Sequence, residues 1–388
     1  MRRAGLIAAA LISVGLAGSV AFAIDVPDYD FVWCTIGNPG NPGTPEYNPQ
    51  RHPWIRVGNG SIDHVYRMAQ TEVTTTQWVE FFNALAEHFP QTAWDEMPWR
   101  WGAWFVGTVD QPRWEVGPDE GDAMQGAVIP LRAAARLCNW LHNGKVNEAW
   151  AFVDGVYDTT TFAFDEDLND ITDDYTRSED ALFFVPSPEE WIKAVYHDPN
   201  RHGPGQQGWW THPNMTDTWL PFGLPGEPGA ETSVGVDFPG FTGLDVPLMS
   251  YPDTHSAWGL RDASGPLGEW TDRFSVVDYF SGSVYTYVGS DTLFGFDPDS
   301  GELPDHIVNT GSHDPHRYHT VTNVRLGSIA PCVADFDVPY GILDLGDIVG
   351  FLSAYLDGDT AADLALPHGL LDMDDVTAYV ESFLAGCD

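Results

Sequence analysis

The sequence predicts a large domain that mixes strand and helix with long loops, followed by a small all-helical module made of two repeats. Three observations predict it. Two helix starts in the first two hundred residues carry complete capping signals. Residues 203–252 are rich in Gly, Pro and Trp with little periodicity. Residues 332–388 repeat themselves at a shift of 28.

The elements follow in chain order. Residues 31–36 are a short apolar run, read as a strand, and the Gly/Pro/Asn-rich stretch 37–43 behind it is a loop. Thr74 with Gln77 forms a capping box, and Trp78, Phe81, Phe82 and Leu85 follow at helical spacing. A second helix is expected over 131–141, with Leu131, Ala134, Ala135, Cys138 and Leu141 on one face and His142-Asn143-Gly144 as its stop. Ser187 caps a third helix, Pro188 takes its first position and Glu190 completes the box. Trp191, Ala194 and Val195 form its apolar face. The aromatic residues of 203–252 favour ordered loops over disorder.

In the repeat, Ala334-Asp335 becomes Ala362-Asp363, Leu343-Asp344 becomes Leu371-Asp372, and Asp347 becomes Asp375. Ile348, Phe351, Leu352, Tyr355 and Leu356 map onto Val376, Tyr379, Val380, Phe383 and Leu384. Each set is one apolar stripe, and neither helix can bury its stripe alone, so the two are expected to pack on each other. Cys332 and Cys387 bracket the repeats and are the expected disulfide. Closing a loop of that length stabilises by about 4 kcal/mol in chain-entropy terms, and so small a domain needs a staple. Cys138, on an apolar helix face, reads as a buried thiol, with a Cys34–Cys138 bridge as the alternative.

Compartment and charge narrow the function. Arg2 and Arg3 precede an uncharged apolar run over 4–22 that ends in Ala21-Phe22-Ala23, a signal peptide with a small-x-small cleavage site. Residues 1–23 are expected to be removed, leaving a secreted or cell-surface chain with no membrane span; an uncleaved anchor is the alternative. The chain carries 57 acidic against 17 basic residues, a net charge of −40. A field of that sign repels nucleic acid and anionic membranes and attracts cations.

Five segments, in order, carry a resemblance. They are Glu72-Val73-Thr74 with Gln77 and Phe81-Phe82-Asn83-Ala84; Cys138-Asn139-Trp140-Leu141; Val185-Pro186-Ser187-Pro188-Glu189-Glu190-Trp191 with Lys193-Ala194; Trp258-Gly259-Leu260-Arg261-Asp262-Ala263-Ser264-Gly265 with Gly268-Glu269-Trp270-Thr271; and Asn323-Val324-Arg325-Leu326. Together they resemble the formylglycine-generating-enzyme (sulfatase-modifying-factor) family over roughly residues 31–327, which sets the expected domain at 24–330. The resemblance implies an α+β fold related to C-type lectins, with little regular secondary structure and long loops. The family's oxidases hold copper on two late cysteines, and no cysteine lies between Asn139 and Pro331. No copper and no catalytic residue are therefore expected. Iron-dependent sulfoxide synthases among the relatives use histidines, so His313, His316 and His319 are the candidates for a transition metal. The resemblance also implies calcium at the loop Gly265, Leu267 and Glu269, although Pro266 and Gly268 depart from the family pattern.

Residues 331–388 resemble a dockerin closed by flanking cysteines. Two loop–helix repeats and the terminal Ala385-Gly386-Cys387 carry that likeness. It implies calcium on Asp335, Asp337, Asp344 and Asp347 and on Asp363, Asp372 and Asp375, and a cohesin-like receptor or cell-surface protein as partner. Pro339 and Pro367 occupy ligand positions, Gly341 and Gly369 arrive one residue late, and Ala365 replaces an acid. The alternative role for Asp347 and Asp375 is helix capping.

The function expected is an exported binding or display protein. A metal-dependent oxidase or oxygenase with altered ligands is the enzymatic alternative, and a structural or calcium-storing component is a third. Trp94, Trp99, Trp101, Trp104, Trp209 and Trp210 lie in loop regions. They are candidates to stack on a carbohydrate or peptide ligand, or to fill the long loops.

Overall fold

The computed structural model describes residues 26–44, 60–162, 173–218, 220–233, 245–265, 267–276, 283–288, 310–313, 322–330, 332, 334–337, 342–359, 362, 364–365 and 371–386. The expected signal peptide, Pro266, His316, His319, Asp363 and Cys387 lie outside them. Among the described residues the chain folds as a mixed α/β structure of small sheets and six α-helices.

The strands are β1 (Trp33–Ile36), β2 (Tyr66–Ala69), β3 (Ala103–Phe105), β4 (Trp114–Val116), β5 (Phe183–Phe184), β6 (His197–Asp198), β7 (Gly208–Trp209), β8 (Gly268–Val276), β9 (Ser283–Val288), β10 (Thr310–His313), β11 (Thr322–Asn323) and β12 (Gly327–Ile329). The helices are α1 (Thr75–His88), α2 (Pro90–Glu96), α3 (Leu131–His142), α4 (Pro188–Tyr196), α5 (Leu345–Asp357) and α6 (Met373–Ala385).

One sheet runs β1-β2-β12-β5, all antiparallel, so the late strand β12 sits between two strands formed far earlier in the chain. A second runs β10-β9-β8-β11, with β11 parallel to β8. Residues 324–326 connect the two sheets through β11 and β12, which places Arg325 at their junction. β3–β4 and β6–β7 are two-stranded ribbons, and β7 gives the 203–252 region a paired segment that its composition did not reveal.

The helix starts follow the capping chemistry of the sequence. Thr74 with Gln77 and Ser187 with Glu190 both make reciprocal capping boxes. Trp78, Phe81, Phe82 and Leu85 are all buried on α1. α3 is buried on more than its expected face: Ala133, Leu137, Asn139 and Trp140 are enclosed along with Leu131, Ala134, Ala135, Cys138 and Leu141. It runs through the core instead of lying on it. α2 was not expected; Pro90 opens it without a side-chain cap.

Three apolar clusters hold the chain together. The largest joins α1, α3 and β8 through Trp78, Phe81, Phe82, Leu137, Phe152 and Trp270. A second gathers Ile36, Tyr66, Met68, Trp191, Val195 and Leu260 around α4. The third unites Val65, Ala330 and Cys332 with Phe336, Phe351, Ala354 and Tyr379 of the C-terminal segment. Each large side chain so enclosed stabilises the fold by about 1.5–3 kcal/mol relative to leaving it in water.

Candidate functional site

The polar centre between the two four-stranded sheets is built on Arg325. Its guanidinium is fully enclosed, with Nη2 2.8 Å from Glu269 Oε1 and Nε 3.0 Å from Glu269 Oε2. The remaining N–H groups donate to the carbonyls of Ala69, Gln70 and Arg261. Trp191 Nε1 donates to Glu269 Oε2 at 2.6 Å. Glu269 is thus the counter-ion of Arg325.

Gly265 and Leu267 face a different space. They line a cavity of about 20 Å³ with Glu72, Asp262, Ser233 and Tyr251, room for about one water-sized particle. Glu72 and Asp262 are the carboxylates that line this cavity. Burial pushes the Glu72 carboxyl well above the usual carboxylate range, and the Glu269 charge adds to the effect. Burial raises Asp262 as well. Asn323 Nδ2 donates to Glu72 Oε2 at 3.0 Å. Sequence reading missed Glu72, Asp262 and Arg325 as one group, because the three are brought together only by long-range pairing.

His313 ends β10 opposite Tyr285. Among the described residues no three His, Cys, Asp or Glu side chains converge as a metal would require. Cys34 and Cys138 are free thiols, and burial raises Cys138 far above the ordinary thiol range. The six loop tryptophans separate: Trp94 and Trp101 pack on the core, Trp209 is buried, and Trp210 lies under Arg201. Only Trp99 and Trp104 of the six are exposed, and Trp104 stands on the β3–β4 ribbon.

The C-terminal segment repeats in space as it does in sequence. Asp344 caps α5 and Asp347 completes its box; Asp372 and Asp375 do the same for α6. Asp347 Oδ1 accepts from the amides of Phe336 and Asp337 at 2.7 and 3.0 Å, and Oδ2 from Asp344 at 2.7 Å. Asp375 Oδ1 accepts from Ala365 and Oδ2 from Asp372, both at 2.8 Å. Each carboxylate ties the start of its loop to the start of its helix, which is the capping role. Asp337 and Asp344 crowd Gly346 from two sides: a Cβ there would meet Asp337 Oδ2 at 2.5 Å and Asp344 Oδ1 at 2.9 Å. Asp335 is buried.

The two helices meet at equivalent residues. Phe351 and Tyr379 stack with centroids 4.0 Å apart and planes 7° from parallel, and Phe336 stands edge-on to both. Ile348, Tyr355, Val376 and Phe383 flank the stack. The expected stripe is therefore divided. Leu352, Leu356, Val380 and Leu384 were expected in the interface and are exposed. Each helix meets its neighbour along a single ridge, and these side chains lie beyond it. With Leu345 and Val349 they form a second stripe on α5 at i, i+4, i+7 and i+11, matched on α6 by Met373, Val380 and Leu384. Leu356 is 82% and Leu384 79% exposed. An apolar surface repeated on both helices is thus presented to solvent.

His64, Tyr66, Arg177, Phe184, Ile329 and Ile342 line a cavity of about 220 Å³. Arg177 pairs with the buried Glu190 through both terminal nitrogens, at 2.7 and 3.1 Å. Burial alone would raise Glu190, but the charges of Arg177 and His64 outweigh it and hold the carboxyl far below its usual range.

No family model matches the chain, and no curated protein matches it. Among solved structures it is weakly similar to Treponema denticola variable protein 1, at 15% identity over 77% of this chain and 95% of that one, with a TM-score of 0.41. It is also weakly similar to the structure titled "Crystal Structure of CarF", at 14% identity over 78% and 98% of the two chains, with a TM-score of 0.42. No helix among the described residues is long and apolar enough to cross a membrane.

Proposed function

We propose that the chain is an exported display protein. On this reading a formylglycine-generating-enzyme-like domain without catalytic thiolates is carried on a dockerin-like module, and that module docks to a cohesin-like receptor on a cell surface or extracellular complex. The observation that carries the reading is the apolar surface repeated on α5 and α6. Leu345, Val349, Leu352 and Leu356 on one helix and Met373, Val380 and Leu384 on the other take equivalent positions and face solvent. Apolar surface of this kind marks an interaction site on a soluble chain.

Other features support it. The five ordered motifs support the fold reading, and the gap in cysteines over 139–331 supports a domain without copper chemistry. Calcium is proposed in the first loop, where Asp337 and Asp344 flank Gly346, with backbone carbonyls and water completing its oxygen shell, and with the second loop as its repeat. A Cys332–Cys387 disulfide is part of the proposal, supported by the bracketing of the repeats and by the free state of Cys34 and Cys138. The carbohydrate or peptide ligand of the large domain is part of the same proposal.

The test is calorimetric titration of the mature chain with a panel of cohesin-type domains, with calcium present. A saturable complex is expected, weakened at least about thirtyfold by Leu352→Glu with Val380→Glu. Both positions are exposed, so circular dichroism of the double variant should match that of the parent. Failure of every panel member to bind, or equal binding by the variant, would overturn the reading.

A further inference from the structure

The β3–β4 ribbon takes no part in the polar centre or in the C-terminal helices. Its register sets Trp104 opposite Glu115 and Phe105 opposite Trp114. Successive strand residues point to opposite faces. Phe105 leans edge-on against Trp94 at 5.1 Å and against the buried Trp114 at 6.0 Å, which fixes the inner face. Asn83 clamps the ribbon from behind: its Nδ2 donates to the Trp114 carbonyl and its Oδ1 accepts the Trp114 amide, both at 2.9 Å. Trp104 and Glu115 therefore share the outer face. Trp104 is 59% exposed, and Glu115 is exposed too. Side chains directly opposite on an antiparallel pair lie about 5 Å apart at Cβ, so one ligand group can touch both.

The ribbon and its flanking turns are acidic in sequence. Residues 103–122 hold five carboxylates, Asp110, Glu115, Asp119, Glu120 and Asp122, against the single guanidinium of Arg113. An acidic ligand is repelled here, and a neutral one leaves the carboxylates without use. A cation satisfies both halves of the site, since an indole face attracts a guanidinium or ammonium and a carboxylate pairs with it. The net charge of −40 steers such a ligand toward the chain.

We propose that the outer face of the β3–β4 ribbon binds a basic peptide segment of a partner protein, with an Arg or Lys side chain stacked on Trp104 and paired with Glu115. The site is separate from the C-terminal docking surface, so its failure would leave that reading untouched.

Tryptophan emission of the full chain, titrated with a short blocked peptide containing two arginines, tests it. The control peptide carries citrulline, the neutral isostere, at both positions. A saturable change with the arginine peptide alone is expected. Trp104→Ala and Glu115→Gln, followed by calorimetry, should each weaken binding about fivefold. Glu381→Gln, the same charge change on α6, should not. Three results would overturn the proposal: equal binding of the citrulline peptide, equal loss in Glu381→Gln, or binding of a neutral oligosaccharide in place of the arginine peptide. Trp104 and Glu115 are exposed, so unchanged melting of the variants is expected.

Discussion

Arg325 and Glu269 face each other with neither side chain open to solvent, Nη2 2.8 Å from Oε1. Glu72 and Asp262 add two more carboxylates to the field of the same guanidinium. Withdrawing that cation would leave a buried carboxylate with an indole N–H as its named remaining donor. Arg325→Met is therefore expected to cost about 3–5 kcal/mol, read as a fall in the urea midpoint. A loss below about 1 kcal/mol would mean that the pair contributes no more than a surface contact.

Lys193 is enclosed on α4, with Nζ 3.1 Å from the Asn38 carbonyl and 6.0 Å from the Tyr66 ring centroid. Burial lowers its pKa to about 8. A lysine whose folded value lies below its unfolded value favours unfolding when protonated. The penalty is fully present below pH 8, and stability rises as pH climbs from about 8 toward the ordinary lysine value. Lys193→Met should melt higher at pH 7 and lose that rise, as followed by scanning fluorimetry between about pH 7 and 10. A variant with the parent's pH profile would show that Lys193 is not the group responsible.

Asp375 behaves in the opposite sense. Amides of Asp372 and Ala365 donate to its carboxylate and hold its pKa below the usual aspartate value. Its contribution is present above the unfolded value, near pH 4, and is lost as pH falls through the folded one. Helical ellipticity should therefore decline on acidification below about pH 4. Asp375→Asn should start with a looser α6 at pH 7, seen as faster amide exchange, and show a shallower acid decline. Unchanged exchange on α6 would remove the proposed role of Asp375 as the tie between loop and helix.

How far the molecule could be read from its sequence depended on the range of each interaction. Thr74 with Gln77 and Ser187 with Glu190 lie three residues apart, and their capping boxes could be placed to the residue. The shift between Phe351 and Tyr379 was equally legible, because a repeat is a local pattern met twice. The placement of β12 between β2 and β5 was not, since Ile329 pairs with Tyr66, 263 residues away in chain order. Arg325 and Glu269 could each be singled out by motif, but nothing local joins positions 56 residues apart. The C-terminal stripe failed for a different reason. Periodicity says which side chains share a helix face, but not how much of that face a single neighbour can cover. Leu352 and Leu356 fall outside the contact for that reason.

Strand β12 ends at Ile329, and the next residues, Ala330 and Cys332, already belong to the cluster that contains Phe336, Phe351 and Tyr379. Val65, just ahead of β2, is buried in the same cluster. Among the described residues the sheet and the helices meet through this apolar cluster. A swivel there would have to tear apolar packing open, so whatever grips α5 and α6 also sets the heading of the sheet behind them. Under the proposed docking, anchorage and aim become a single property of this chain.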